Sequence, residues 1–316
     1  MRILLDGYLD NNLGDDLMIT LAAQGLKEHK LFIKSDKFEN IEYTDKTRGF
    51  DCYLKVIGSG FLIYNNKGIL YRLREMHAEK KYAPKRAVIN CNISPFINKT
   101  AEKVIRHQLK DYDFITVRDS VSHDYIKNSE NYPDLVFSLP DSMIPDTTCE
   151  NLLGIAVHNS ADCKVLSQVA DEYIEKTGNK VLLLCFDSGK ENDAKMAKMV
   201  HEKSEYKDKI EIIEYTTISD MLSNMKRCSV ILGIRMHSVI LSARMGIPFV
   251  PVAYSDKLTH ILADINYNDA IYTPDTDAKT LLQAISDVKL FDLDKSIITL
   301  AQNHILKFKE YIKQQA

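Results

Sequence analysis

The stretch GIRMHSVILSARMGIPFVPVAYSDK, residues 233–257, sets Arg235 and His237 two residues apart just after one apolar run. It sets Tyr254 and Lys257 just after a second run. An arginine offers a planar fork of donors suited to carboxylate or phosphate, a lysine offers a point charge, and a histidine titrates near neutral pH. If each run is a buried strand that gives way to a helix, the N–H groups of a helix start and both side chains can address one anion. The chemistry within reach is the binding of a small polyanion, with His237 as the proton donor or acceptor.

Other polar groups also stand at the ends of apolar runs. After Arg2–Asp6 come Gly7 and Gly14, which allow tight backbone, Asn11 and Asn12, which donate and accept, and Asp15, which can cap a helix. After Cys52–Ile57 comes Gly58-Ser59-Gly60, a turn that permits close approach of a ligand or of another domain but lacks the third glycine of a dinucleotide fingerprint. Arg118-Asp119-Ser120 follows Phe114–Val117, where Arg118 could hold an oxyanion with two bonds or pair with Asp119 at a helix start. Phe186 to Lys190, Glu214-Tyr215 and His158 close three further runs, the first two reading as ordinary caps and loops. Asp111-Tyr112-Asp113 has the form of a metal-binding acid pair, but acids are common before a strand. The other histidines show no metal-ligand spacing, and there is neither a nucleophile elbow nor a Walker loop. No metal site is expected.

These positions depend on a regular alternation of elements. Strand-like runs at Arg2–Asp6, Cys52–Ile57, Ala87–Ile93, Phe114–Val117, Leu152–His158, Lys180–Phe186, Ile210–Tyr215, Val230–Ile234 and Pro248–Tyr254 are separated by helical patterns. The expectation is an α/β protein of two Rossmann-like domains with parallel sheets facing a cleft. The segment 140–153, with two prolines and little periodicity, is the expected linker. The expected domains are therefore 1–145 and 150–292, with a long C-terminal helix over 293–316 that crosses back to brace the first. With 316 residues, 45% hydrophobic and 27% charged, the composition is that of a folded soluble chain. A net charge of −3 gives no overall attraction to nucleic acid or anionic membrane. The six cysteines are scattered, as in a reduced compartment. The first apolar run is too short for a secretory leader and no window approaches a membrane span, so a cytoplasmic location is expected.

Five stretches, taken in order, resemble the polysaccharide pyruvyl transferase family: GYLDNNLGDDLM, VIGSGFLI, FITVRDSVS, PDLVFSLPD and the segment 233–257. Together they cover most of the chain, and Ser59 departs from the run of three glycines common in the family. The resemblance implies a GT-B-like pair of domains. It also implies transfer of a pyruvyl group from phosphoenolpyruvate to two hydroxyls of a sugar in a cell-surface polysaccharide or its lipid-linked precursor, giving a cyclic ketal and phosphate. Arg235, Met236 (through its backbone) and His237 would then contact phosphoenolpyruvate, with Arg118 as a second arginine. Lys257 and Tyr254 join them from the next strand end, and His237 and Arg235 would be catalytic. The acceptor would lie over the first domain, beside Asn11, Asn12, Asp15, Gly58, Ser59 and Gly60. Phosphoenolpyruvate is the co-substrate, and the scheme requires no cofactor or metal. A lipid-linked acceptor would bring the enzyme to the inner membrane face with peripheral association only. Two other readings compete: a GT-B glycosyltransferase using a nucleotide sugar, and a non-catalytic anion-binding scaffold in capsule assembly.

Overall fold

A computed structural model describes residues 1–57, 61–63, 65–96 and 98–314. The chain forms two compact units, one of Met1–Leu9, Leu17–Ser138 and Ile298–Ala316, the other of Asp10–Asp16 and Leu139–Ile297. Both are α/β units with parallel sheets of Rossmann type.

In the first unit the strands are β1 (Arg2–Asp6), β2 (Lys30–Ile33), β3 (Glu42–Tyr43), β4 (Cys52–Val56), β5 (Phe61–Ile63), β6 (Lys85–Cys91), β7 (Ile93–Phe96), β8 (Phe114–Val117) and β9 (Glu130–Asn131). Seven of them form one sheet in the order β3-β2-β1-β4-β6-β8-β9, while β5 and β7 pair separately. Every pairing is parallel. All five residues of β4 are buried, as a strand covered on both faces requires. The helices are α1 (Leu13–Gly25), whose first residues belong to the second unit, α2 (Asn66–Glu79), α3 (Lys99–Leu109) and α4 (Ser120–Tyr125).

The second unit contains β10 (Leu152–Ala156), β11 (Val181–Cys185), β12 (Ile210–Glu214), β13 (Cys228–Gly233) and β14 (Phe249–Pro251), with α5 (Cys163–Thr177), α6 (Asp193–Lys203), α7 (Ile218–Arg227), α8 (Met236–Met245), α9 (Asp256–Asp264) and α10 (Ala278–Asp287). Its sheet runs β12-β11-β10-β13-β14, again all parallel. Leu153, Ile155, Leu183 and Leu232 of the sheet pack with Leu166 and Val169 of α5 in one core. The C-terminal segment is two helices, α11 (Lys295–Ala301) and α12 (Asn303–Gln314), where one was expected. Among the described residues no helix is long and apolar enough to cross a membrane.

Strand order in each sheet reverses once: β1 to β3 run one way and β4, β6, β8 and β9 the other, just as β10 to β12 oppose β13 and β14. Loops leaving the carboxyl ends of strands on either side of such a reversal part from one another, and ligands of open α/β sheets bind in the gap. In the second unit that gap lies between the ends of β10 and β13.

Candidate functional site

β13 ends at Gly233, and Arg235 occupies the N-cap position of α8 with extended backbone and no capping bond from its side chain. The guanidinium turns to the start of α6 instead. Its Nε donates to Asp193 Oδ2 at 2.9 Å, its Nη2 to Asp193 Oδ1, and its Nη1 to Glu191. Asp193 is fully buried and also accepts the backbone N–H groups of Phe186 and Asp187, at 3.0 and 2.9 Å. Burial opposes charge on Arg235, but the bonds and charge of Asp193 outweigh it and raise the arginine's pKa. Arg235 is 6% exposed and matched by two carboxylates, so it is not the open cation expected from its position.

The outer carboxylate, Glu191, has a side chain 48% exposed and bridges to His158, just past the end of β10. The backbone N–H of Ser160 donates to Nδ1 of His158 at 3.1 Å, which leaves the ring proton on Nε2, 3.5 Å from Glu191. The His158 bond, with the charge of Arg235, holds the Glu191 carboxyl down to about 2 against the upward pull of burial. The ring of Tyr254 stacks on His158, with centroids 4.1 Å apart and planes within 12°.

His237 is the second residue of α8, and its ring lies against bare backbone. A Cβ built on Gly14 would fall 1.8 Å from His237 Nδ1, so only glycine fits there. Gly14 is held in place by the clamping of residues 10–16 onto the loop after β11. Leu13 N–H donates to Phe186 O at 2.9 Å and Ser188 N–H to Asn11 O at 3.1 Å. Asn12 Oδ1 accepts from Gly14 N–H at 3.0 Å, while its Nδ2 donates to Asp187 Oδ2 at 3.2 Å. Asp187 in turn accepts three loop N–H groups on Oδ1, from Gly189, Glu191 and Asn192. Tyr215 OH donates to Asp16 Oδ2 at 3.0 Å.

The expected residues thus divide. Arg235, His237, Tyr254 and Lys257 all stand at the carboxyl ends of the adjacent strands β13 and β14, with Met236 partly exposed at the first turn of α8 and Lys257 partly buried on α9. Asn12, expected beside the acceptor, uses both ends of its amide to clamp Gly14 to the loop after β11. Asn11, exposed with φ 47°, and Asp15, buried, belong to the second unit rather than the first. Gly58, Ser59 and Gly60 lie outside the described residues. Arg118 is also corrected: it is 1% exposed in the first unit and paired with the buried Asp134 at 3.0 Å, an interior ion pair rather than an open strand end. Sequence reasoning read Asp187 as part of an ordinary loop and did not single out Glu191 or Asp193. Their only signal was three acids in the seven residues after an apolar run. Among the described residues no cluster of His, Cys, Asp and Glu is placed to hold a metal.

The whole chain superposes on proteins of GT-B fold. A UDP-GlcNAc 2-epimerase from Methanocaldococcus jannaschii aligns with TM-score 0.63 at 11% identity, covering 98% of this chain and 100% of that one. The UDP-GlcNAc 2-epimerase of Neisseria meningitidis, bound to UDP-GlcNAc, gives 0.62 at 10% identity over 99% and 100% of the two chains. Sucrose-phosphate synthase from Thermosynechococcus elongatus gives 0.59 at 9% identity over 100% and 99%. At such identities the likeness is one of fold. No curated protein sequence matches the chain. A sequence profile described as polysaccharide pyruvyl transferase spans residues 12–256, from the asparagine that clamps Gly14 to the first residue of α9. That span takes in both sides of the Gly14–His237 contact and most of the chain, which therefore belongs to the polysaccharide pyruvyl transferase family.

Proposed function

We propose that the protein moves a pyruvyl group from phosphoenolpyruvate to two hydroxyls of one sugar unit of a cell-surface polysaccharide or its precursor. Protonation of the donor's methylene carbon makes C2 electrophilic. One sugar hydroxyl adds there, phosphate leaves, and the second hydroxyl closes the ketal. Of the two hydroxyl protons, one balances the new methyl group and the other departs with phosphate. His237 is the proton donor and acceptor, the N-terminus of α8 and Lys257 hold the donor's anionic groups, and Asp193 fixes Arg235 beneath them. An anion of the donor takes the place of the Glu191 carboxylate at Arg235 Nη1. The reaction draws on no cofactor, and the work is placed on the cytoplasmic side, where phosphoenolpyruvate is made.

The observation that carries this reading is the packing of His237 on Gly14, which joins the two most specific stretches of the family in one unit. In the test, purified protein receives phosphoenolpyruvate with a panel of sugars, and released phosphate is measured. Release should require both substrates, and His237→Ala should slow it by about 10²–10⁴-fold with the thermal midpoint retained. Binding of uridine nucleotides with indifference to phosphoenolpyruvate would overturn the proposal in favour of a nucleotide-sugar glycosyltransferase, which the fold alone also accommodates.

A further inference from the structure

The strand-order reversal of the first unit, between β1 and β4, has its own cavity of about 430 Å³. This is within the size range of small-ligand sites. Its lining includes Asp6 at the end of β1, Lys34 just past β2, Tyr53 of β4, Tyr71 and Arg74 of α2, and Tyr82. Below it lies a network of ionised groups that an apolar core would not need. Lys55 Nζ donates to Glu75 at 2.6 Å and to Glu79 at 2.5 Å, and Arg72 Nη1 donates to Glu75 at 2.7 Å. Tyr53 OH donates to Asp6 with Glu79 also within reach, and Tyr112 OH donates to Glu79 at 2.9 Å. Burying that many charges in place of well-packed apolar groups is at best neutral for stability, so a polar floor under a cavity points to a ligand.

The cavity combines phenol rings, an acid and two rim cations. Tyr71 is 62% exposed, and Tyr82 carries Lys34 Nζ against its ring, 4.0 Å from the centroid. Tyrosine faces pack on the C–H face of a pyranose. A carboxylate accepts at several positions, of which the Tyr53 hydroxyl takes one at Asp6, so it can receive sugar O–H donors; Lys34 and Arg74 can donate to ring and hydroxyl oxygens. A nucleotide diphosphate would instead meet Asp6 and a floor rich in carboxylates. We infer that this cavity of the first unit is a pyranose-binding site that holds the acceptor saccharide through Tyr71, Tyr82 and Asp6. The inference rests on the sugar acceptor of the family but not on the identity of the donor.

The chain has no tryptophan and 16 tyrosines, so sugar binding can be followed by tyrosine fluorescence and by saturation-transfer NMR. The probes are a panel of hexoses and N-acetylhexosamines as methyl glycosides. At least one should bind, and Tyr71→Ala and Arg74→Ala, both at exposed positions of α2, should each weaken it roughly ten-fold, about 1.4 kcal/mol, with unchanged thermal midpoints. Phosphoenolpyruvate binding should be unaltered in both variants. Failure of every glycoside to bind, or binding that both variants leave intact, overturns the inference. If Tyr71-dependent sugar binding is found but phosphate is never released from phosphoenolpyruvate, the donor proposal fails and this one stands.

Discussion

Gly14 is the residue on which the site's geometry turns, because the His237 ring fills the volume a side chain would take. In Gly14→Ala, the imidazole must rotate away or the 10–16 segment must lift from the loop after β11. Either move displaces the group proposed to carry the proton. Overpacking of this kind costs about 1–3 kcal/mol. We expect that loss in urea unfolding, together with at least a ten-fold fall in turnover. The double variant Gly14→Ala/His237→Ala should recover most of the stability and none of the activity, since the clash needs both side chains. A Gly14→Ala protein with parental turnover would show that the ring's present position is irrelevant to the reaction.

The loop between β11 and α6 does more than its sequence announces. Its Glu191 and the first residue of α6, Asp193, hold the same arginine from different surroundings, Asp193 buried and backbone-bonded, Glu191 half-exposed. Asp193→Ala leaves the buried arginine with only the half-exposed Glu191 and strips its Nε and Nη2 of their acceptor, and should cost about 3–5 kcal/mol in urea unfolding. Glu191→Gln should cost under about 1 kcal/mol, because its partner stays neutralised by Asp193, and should lower the KM for phosphoenolpyruvate by removing the anion the donor displaces. A raised KM in Glu191→Gln would instead make Glu191 part of the substrate grip. The same contrast explains what was legible in the sequence. The central strands β1, β4, β6, β8, β10, β11 and β13 announce themselves, since strands covered on both faces read as continuous apolar runs. The edge strands β3 and β9, and β2 next to one edge, are short and lead with charged residues, and α2 exposes Leu70, Tyr71 and Leu73, which blurs its periodicity. Arg235 and His237 were legible as a pair at a strand end. That Arg235 faces inward, and that Arg118 is buried on Asp134, depends on tertiary partners distant in sequence.

At the scale of the whole chain, elements far apart in sequence build the first unit: β1 is central in its sheet, and α12 packs against β6 and β8. The α12 joint contains a fully buried histidine. His304 Nε2 faces the carbonyl of Pro133 at 3.0 Å, and a carbonyl can only accept, so the proton sits there. Nδ1 therefore accepts from the Thr116 hydroxyl at 2.5 Å, and that hydroxyl takes the Asn90 N–H at 3.2 Å. Burial, only partly opposed by the charge of Asp134, pushes the His304 pKa down from 6.5 to about 4. A histidine depressed in the folded state takes its proton first in the unfolded one. Stability should then fall as pH drops from about 6.5 to about 4, by something on the order of 3 kcal/mol, and be flat above that window. Glu75 and Glu191, both held down to about 2, act in a separate range, since what they contribute is full above about 4.5 and lost below it. Between pH 4.5 and 6.5 it is therefore the difference between parent and variant that isolates this histidine, apart from His29 and from the Asp193 carboxyl that burial raises. His304→Gln keeps a side-chain N–H for Pro133 and removes the titration, so its urea-unfolding free energy should lose most of that slope. If the slope is the same in parent and variant, the docking of α12 is not what acid undoes.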